Sequence, residues 1–60
     1  MAILKGDIYQ DVKTGRSYIL KINSGNTILL QEENGEVQRL MSYKEFEGGY
    51  VKIRSLDERR

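Results

Sequence analysis

Three turn signals fall in quick succession within the first 35 residues, and they restrict the fold more than any other feature of the chain. Lys13-Thr14-Gly15 lies in "DVKTGRS", Gly25-Asn26 in "NSGNT" and Asn34-Gly35 in "EENGEV". Each holds a glycine able to adopt the positive φ of a short hairpin loop, and Asn-Gly between β-rich runs is the strongest local hairpin signal. Gly35 is therefore expected at positive φ in a type I′ or bulged turn. The intervening runs "DIYQDV", "RSYILKIN", "TILLQEE" and "EVQRLM" are of strand length and rich in Ile, Val, Tyr and Thr. Three tight turns joining four such runs predict a four-stranded antiparallel meander.

The next stretch, "MSYKEFEGG", changes character. Ser42 followed three residues later by Glu45 is a capping-box pattern, and Gly48-Gly49 is a natural stop. This predicts one helical turn near residues 42 to 47, with Phe46, the single phenylalanine, plugging one end of the core. A final strand then runs from Tyr50 to about Ser55, and residues 56–60, "LDERR", read as a charged tail that could begin a frayed helix. Four meander strands, one helical turn and a fifth strand give the order of an all-β, five-stranded antiparallel SH3-like small barrel over residues 1–55. Alternation places Ile8, Val12, Tyr18, Leu20, Ile22, Ile28, Leu30, Val37, Leu40, Val51 and Ile53 in the core. It puts Ile19 and Leu29 on the outer face, where with Met41 they form a candidate self-association surface.

The "GDIYQD…TGRSYIL" opening, the "TILLQEENGEV" hairpin and the "YKEFEGGYVKI" ending resemble small phage- or prophage-encoded proteins with an SH3-like β-barrel. The likeness covers roughly residues 5 to 54 as a pattern of turns and apolar positions, and it carries no catalytic motif. It implies a role in the host cytoplasm, interfering with a host enzyme or defence factor. A signalling SH3 domain has a long acidic loop between its first two strands, where this chain has only "KTG". Recognition of proline-rich peptides is not expected without that loop.

Composition narrows the chemistry. The 60 residues include no cysteine and no histidine, which removes disulfides, thiolate metal sites, and the commonest metal ligand and general base. Ser17, Ser24, Ser42 and Ser55 have no base at a suggestive spacing, no phosphate-cradling glycine loop is present, and neither an enzyme nor a cofactor or metal site is expected. Asp7 and Asp11, four apart in a strand, share a face with Tyr9; such a pair could bind a hard cation or do acid-base work, but the favoured reading is solvating charges on an edge strand. Glu32, Glu33 and Glu36 read as a solvated hairpin tip. No apolar run approaches the ~18 residues of a membrane span, so no membrane partner is expected and the cytoplasm is the simplest location.

Ten Lys and Arg against nine Asp and Glu leave a net charge of +1, too little for a protein that coats duplex DNA by neutralising phosphates. Any electrostatic function must rest on a local cluster. The candidate is "GGYVKIR", where Tyr50, Lys52 and Arg54 alternate with Val51 and Ile53; Tyr9 is expected nearby on the same exposed face, and Arg39 is a further binding candidate. Such a face can stack bases and hold phosphates, or anchor a protein. The leading expectation is a non-catalytic interaction protein that self-associates and modulates a protein partner. The alternatives are a nucleic-acid-binding accessory protein using the Tyr/Lys/Arg face, and an oligomer that sequesters a nucleotide signal.

Overall fold

A computed structural model describes residues 4–55; residues 1–3 and the charged tail at 56–60 lie outside the described residues. Five strands and one helix follow in the order β1 (Ile8–Asp11), β2 (Ser17–Ser24), β3 (Thr27–Glu32), β4 (Gln38–Ser42), α1 (Tyr43–Gly49) and β5 (Tyr50–Arg54). All pairings are antiparallel, and the strands form one sheet in the order β4-β3-β2-β1-β5. This is the expected all-β arrangement, with the last strand returning beside the first. β4 and β5 are its two edges, and α1 crosses between them.

Local chemistry explains the turns. Between β1 and β2, the Lys13 N–H donates to Asp11 Oδ1 at 2.8 Å, the Arg16 N–H to Thr14 Oγ1 at 3.2 Å, and Gly15 takes φ +78°. Between β2 and β3, Ser24 pairs with Thr27 across a two-residue loop, and Gly25 at φ +60° supplies the positive first position of a II′-type turn. The third turn departs from expectation. Gly35 is not at positive φ, because β3 ends at Glu32 and β4 begins only at Gln38, leaving a five-residue loop rather than a tight Asn-Gly hairpin. Arg16 holds the Glu32 side chain at 3.2 Å and Arg54 holds Glu33, so two of the three glutamates here are ion-paired and half-buried; Glu36 is exposed.

The capping box forms as its spacing predicts. The Glu45 N–H donates to Ser42 Oγ, and the Ser42 N–H donates to the Glu45 carboxylate. The helix runs through both glycines, and the Tyr50 N–H closes it by donating to the Phe46 carbonyl. It is longer than the single turn expected. Phe46 is buried, as predicted, among Tyr9, Tyr18, Leu20, Ile28 and Leu30.

Strand phase is where strict alternation fails. A register shift between Leu20 and Ile22 makes Lys21 an extra residue, which turns Ile22 outward to pair with Leu29. On β4 the inward positions are Arg39 and Met41, opposite buried Leu30 and Ile28, so Leu40 points out and is 72% exposed. On β5 the inward positions are Tyr50 and Lys52, so Val51 and Ile53 are exposed rather than core. Val12 and Val37 lie in loops and are exposed too. Ile8 is fully buried but sits on the face opposite Tyr9, apart from the main cluster.

If the sheet folds around Phe46, Phe46→Ala should cost ~3–5 kcal/mol. A chain of this length commands only ~3–9 kcal/mol in all. Urea denaturation should find the variant largely unfolded at 25 °C; a midpoint close to wild type would show that the ring is dispensable.

Candidate interaction surface

The first candidate, the basic-aromatic face, does not assemble. Tyr9 is buried rather than exposed: β1 is an inner strand, and the Tyr9 ring meets Phe46 edge-on at 4.7 Å. Tyr50 is half-buried, stacked on Phe46 at 5.8 Å and edge-on to Tyr18 at the same distance. Asp7 and Asp11 do share a face with Tyr9, but it is the inner one. Asp7 is fully buried and Asp11 nearly so, correcting their reading as solvating edge charges.

These two carboxylates draw cations inward. Lys52 Nζ lies 3.4 Å from Asp7 Oδ2, which also accepts the Leu4 N–H at 3.3 Å. Arg39 Nη1 lies 3.4 Å from Asp11 Oδ2. Arg54 goes elsewhere. A register shift between Ile8 and Tyr9 leaves Ile53 as the extra residue, so Arg54 pairs with Ile8 on the outer face while Lys52 pairs with Tyr9 on the inner one. Arg54 Nη2 donates to both Glu33 oxygens, at 2.8 and 2.6 Å, and so ties edge strand β5 to the end of β3. Tyr50, Lys52 and Arg54 therefore do not form one platform.

Arg39 and Tyr50 meet at a cleft of about 200 Å³ between β4, β5 and α1, with Asp11 and Glu45 also in its wall. The Tyr18 hydroxyl and the neighbouring tyrosines and Asp11 favour the charged Arg39 guanidinium. Burial pushes the Tyr50 hydroxyl pKa up; the Arg39 charge opposes this and Asp11 adds to it. Tyr9 is raised as well, first by burial and then by the Asp7 charge and Tyr43. In the cleft Arg39 already faces a carboxylate, so an incoming anion must compete with Asp11. Among the described residues no group of three or more Asp and Glu is placed to hold a metal ion, and no helix is long and apolar enough to cross a membrane.

The outer face is different. The pairing aligns Ile8 and Gln10 of β1, Ser17, Ile19, Ile22 and Ser24 of β2, Thr27, Leu29 and Gln31 of β3, and Gln38, Leu40 and Ser42 of β4. None of these paired positions is charged, although 32% of the chain is; Lys21, the unpaired residue next to inward Leu20, brings one charge to this side of β2. The nearest charges are Lys21, at the register shift, and Arg54, held by Glu33. Ile22, Leu29 and Leu40 are cross-strand partners and form an apolar row over three strands. Ile19 and Leu29, the two self-association candidates expected to face outward, do so, half-buried. Met41 does not: it packs against the core. Ile22 and Leu40 were hidden from sequence reasoning because alternation assigned both to the core.

Compared with protein-family models, curated proteins and solved structures, the chain matches none.

The two kinds of ion pair should respond differently to mutation. Lys52→Ala removes a partner from a fully buried carboxylate and should cost about 1–3 kcal/mol. Arg16→Ala opens a pair whose arginine is 67% exposed and should cost roughly 0.5 kcal/mol or less. Equal losses in denaturant titrations would contradict this ordering.

The tyrosines predict alkaline sensitivity. Above pH 10 the unfolded chain loses its tyrosyl protons while Tyr9 and Tyr50, raised by burial, keep theirs, so stability falls as pH rises from 10 through their folded values. Tyr9→Phe should narrow the loss of melting temperature between pH 9 and pH 11. An unchanged alkaline slope would show that Tyr9 ionises as freely folded as unfolded.

Proposed function

We propose that the protein is a non-catalytic interaction module that self-associates and docks on a protein partner through the outer face of β1 to β4. The observation supporting this is the uncharged outer ladder with its Ile22–Leu29–Leu40 row. Exposed sheet faces of monomeric proteins ordinarily alternate apolar-in with polar or charged out. Here, with Ile8 already buried and Lys21 set apart at the register shift, the accessible outward positions are Ile, Leu, Ser, Thr and Gln, the pattern of a surface that is covered in use. Val51 and Ile53 extend it onto β5. The resemblance to phage-encoded small barrels makes a host enzyme or defence factor the natural partner, and modulation of that partner the role.

The competing readings have less support. Nucleic-acid binding drew on Tyr9, Tyr50, Lys52 and Arg54, which are divided between the core and two faces, with Lys52 and Arg54 facing carboxylates. Sequestration of a nucleotide signal would use Arg39 and Tyr50, yet Asp11 stands against a phosphate in that cleft.

Leu29→Glu places a charge in the middle of the row without altering the inner face. It should abolish capture of the partner from nuclease-treated host lysate while the circular dichroism spectrum is kept. Capture that survives Leu29→Glu, or that nuclease treatment removes, would refute docking through this face.

A further inference from the structure

The edge of β4 is built differently from that of β5. The Glu32 N–H donates to the Val37 carbonyl and the Tyr43 N–H to the Asn26 carbonyl, each at 2.9 Å. Antiparallel ladders alternate between pairs that exchange hydrogen bonds and pairs that do not. Stepping by two along the register puts Leu30–Arg39 and Ile28–Met41 in the exchanging class. Gln38, Leu40 and Ser42 therefore aim their backbone groups away from β3, at the open edge. The capping box uses the Ser42 N–H. Leu40 stands at the centre of what remains, with the most exposed large apolar side chain among the described residues.

Sheet edges are ordinarily guarded by lysine, proline or a bulge. β5 has such guards: Lys52, Arg54 and the register shift at Ile53. On β4 the edge-facing residues are Gln, Leu and Ser, and its single charge, Arg39, is drawn to the inner side by Asp11.

We propose that β4 pairs antiparallel with β4 of a second copy of this chain, about a two-fold axis at Leu40. Each Leu40 then exchanges both backbone hydrogen bonds with its mate, and the Gln38 N–H reaches the carbonyl of Ser42 of the partner subunit. Any extended strand could satisfy those backbone groups; side-chain complementarity selects a second copy. Leu40 meets Leu40 on the outer face, and Arg39 meets Met41 of the partner subunit on the inner face, so no like charges lie directly opposite. The Ile22–Leu29–Leu40 row continues into its symmetric copy, giving one apolar line across the six central strands of a ten-stranded sheet, about 24 Å long at ~4.8 Å per strand. This pairing rests on the self-association in the proposed function, which it specifies, and doubles its docking face; its own grounds are the edge geometry and the side-chain match at Leu40.

The chain has no cysteine, so Leu40→Cys reports on the axis directly. Residues exchanging hydrogen bonds across an antiparallel pair have Cα atoms about 5.5 Å apart, within disulfide reach. Mild oxidation of Leu40→Cys should give a covalent dimer. Gln38→Cys, which faces position 42, and Ile22→Cys, two strands inward, should not cross-link. Leu40→Lys, at an exposed position, should keep the wild-type spectrum and raise the dimer dissociation constant about tenfold or more by sedimentation. A wild-type dimer with no Leu40→Cys cross-link, or with Ile22→Cys cross-linking equally, overturns the pairing but leaves outer-face docking standing. A wild-type monomer at every concentration overturns the pairing and self-association together. Loss of partner capture in Leu29→Glu is read separately and bears only on docking.

Discussion

The Phe46 ring lies 4.7 Å from Tyr9, 5.8 Å from Tyr50 and 6.4 Å from Tyr43, so β1, α1 and β5 all converge on it. Aromatic pairs contribute about 0.5–1.5 kcal/mol each beyond the area they bury. Three of them amount to a few kcal/mol, a large share of what a chain this small can command. The capping box is what holds the ring in place. With Ser42 and Glu45 satisfying each other's backbone donors, the helix begins immediately after β4 and turns Phe46 inward one turn later. α1 thereby spans the gap between β4 and β5, the two edge strands of the sheet.

The same ring determines the phase of β5. In "YVKI" either Tyr50 and Lys52 or Val51 and Ile53 can face inward, and apolar alternation chooses the valine and isoleucine. The structure chooses the tyrosine, which stacks on Phe46 and meets Tyr18 edge-on. Lys52 must follow it to the same side, where it stays exposed at the sheet edge and its ammonium reaches the buried Asp7 carboxylate. The inward carboxylates of β1 and the inward cations of β4 and β5 are thus parts of one solution. Asp7 answers Lys52 and Asp11 answers Arg39.

The fold was legible in the sequence because its signals are local. Gly15, Gly25 and the Ser42–Glu45 box act within a few residues, and each produced the turn or cap its chemistry requires. The outer placement of Ile19 and Leu29 was legible as well, since "YILKI" and "TILL" break alternation. One local signal failed, the Asn34-Gly35 turn, where Gly35 is not at positive φ; the other losses were non-local. The register shift at Leu20/Ile22 depends on β3, and the one at Ile8/Tyr9 depends on β5. Each slip moves later side chains to the other face. Hence Ile22 passed from core to surface, and Arg54 left the face of Lys52. Asp7, Tyr9 and Asp11 were correctly grouped on one face, but alternation took Ile8 as the core residue and so put that face outside, whereas Tyr9 is the one that packs with Phe46.

The distribution of charge follows from these choices. Cations and carboxylates meet on the inner side of the sheet and at its rim, through the Lys52–Asp7, Arg39–Asp11 and Arg16–Glu32 pairs. The ordinary arrangement of a small antiparallel sheet puts apolar residues inside and charge outside. Here two carboxylates, Asp7 and Asp11, have moved inward, and the paired outer positions of β1 to β4 carry no charge. Such an inversion raises the desolvation cost of the interior, and it removes the repulsion and hydration that keep sheet faces and edges apart. A chain selected only to remain monomeric gains nothing from it. A chain whose outer face and β4 edge are covered by other protein surface recovers that cost on binding, because an uncharged apolar face can be desolvated without leaving a charge unpaired.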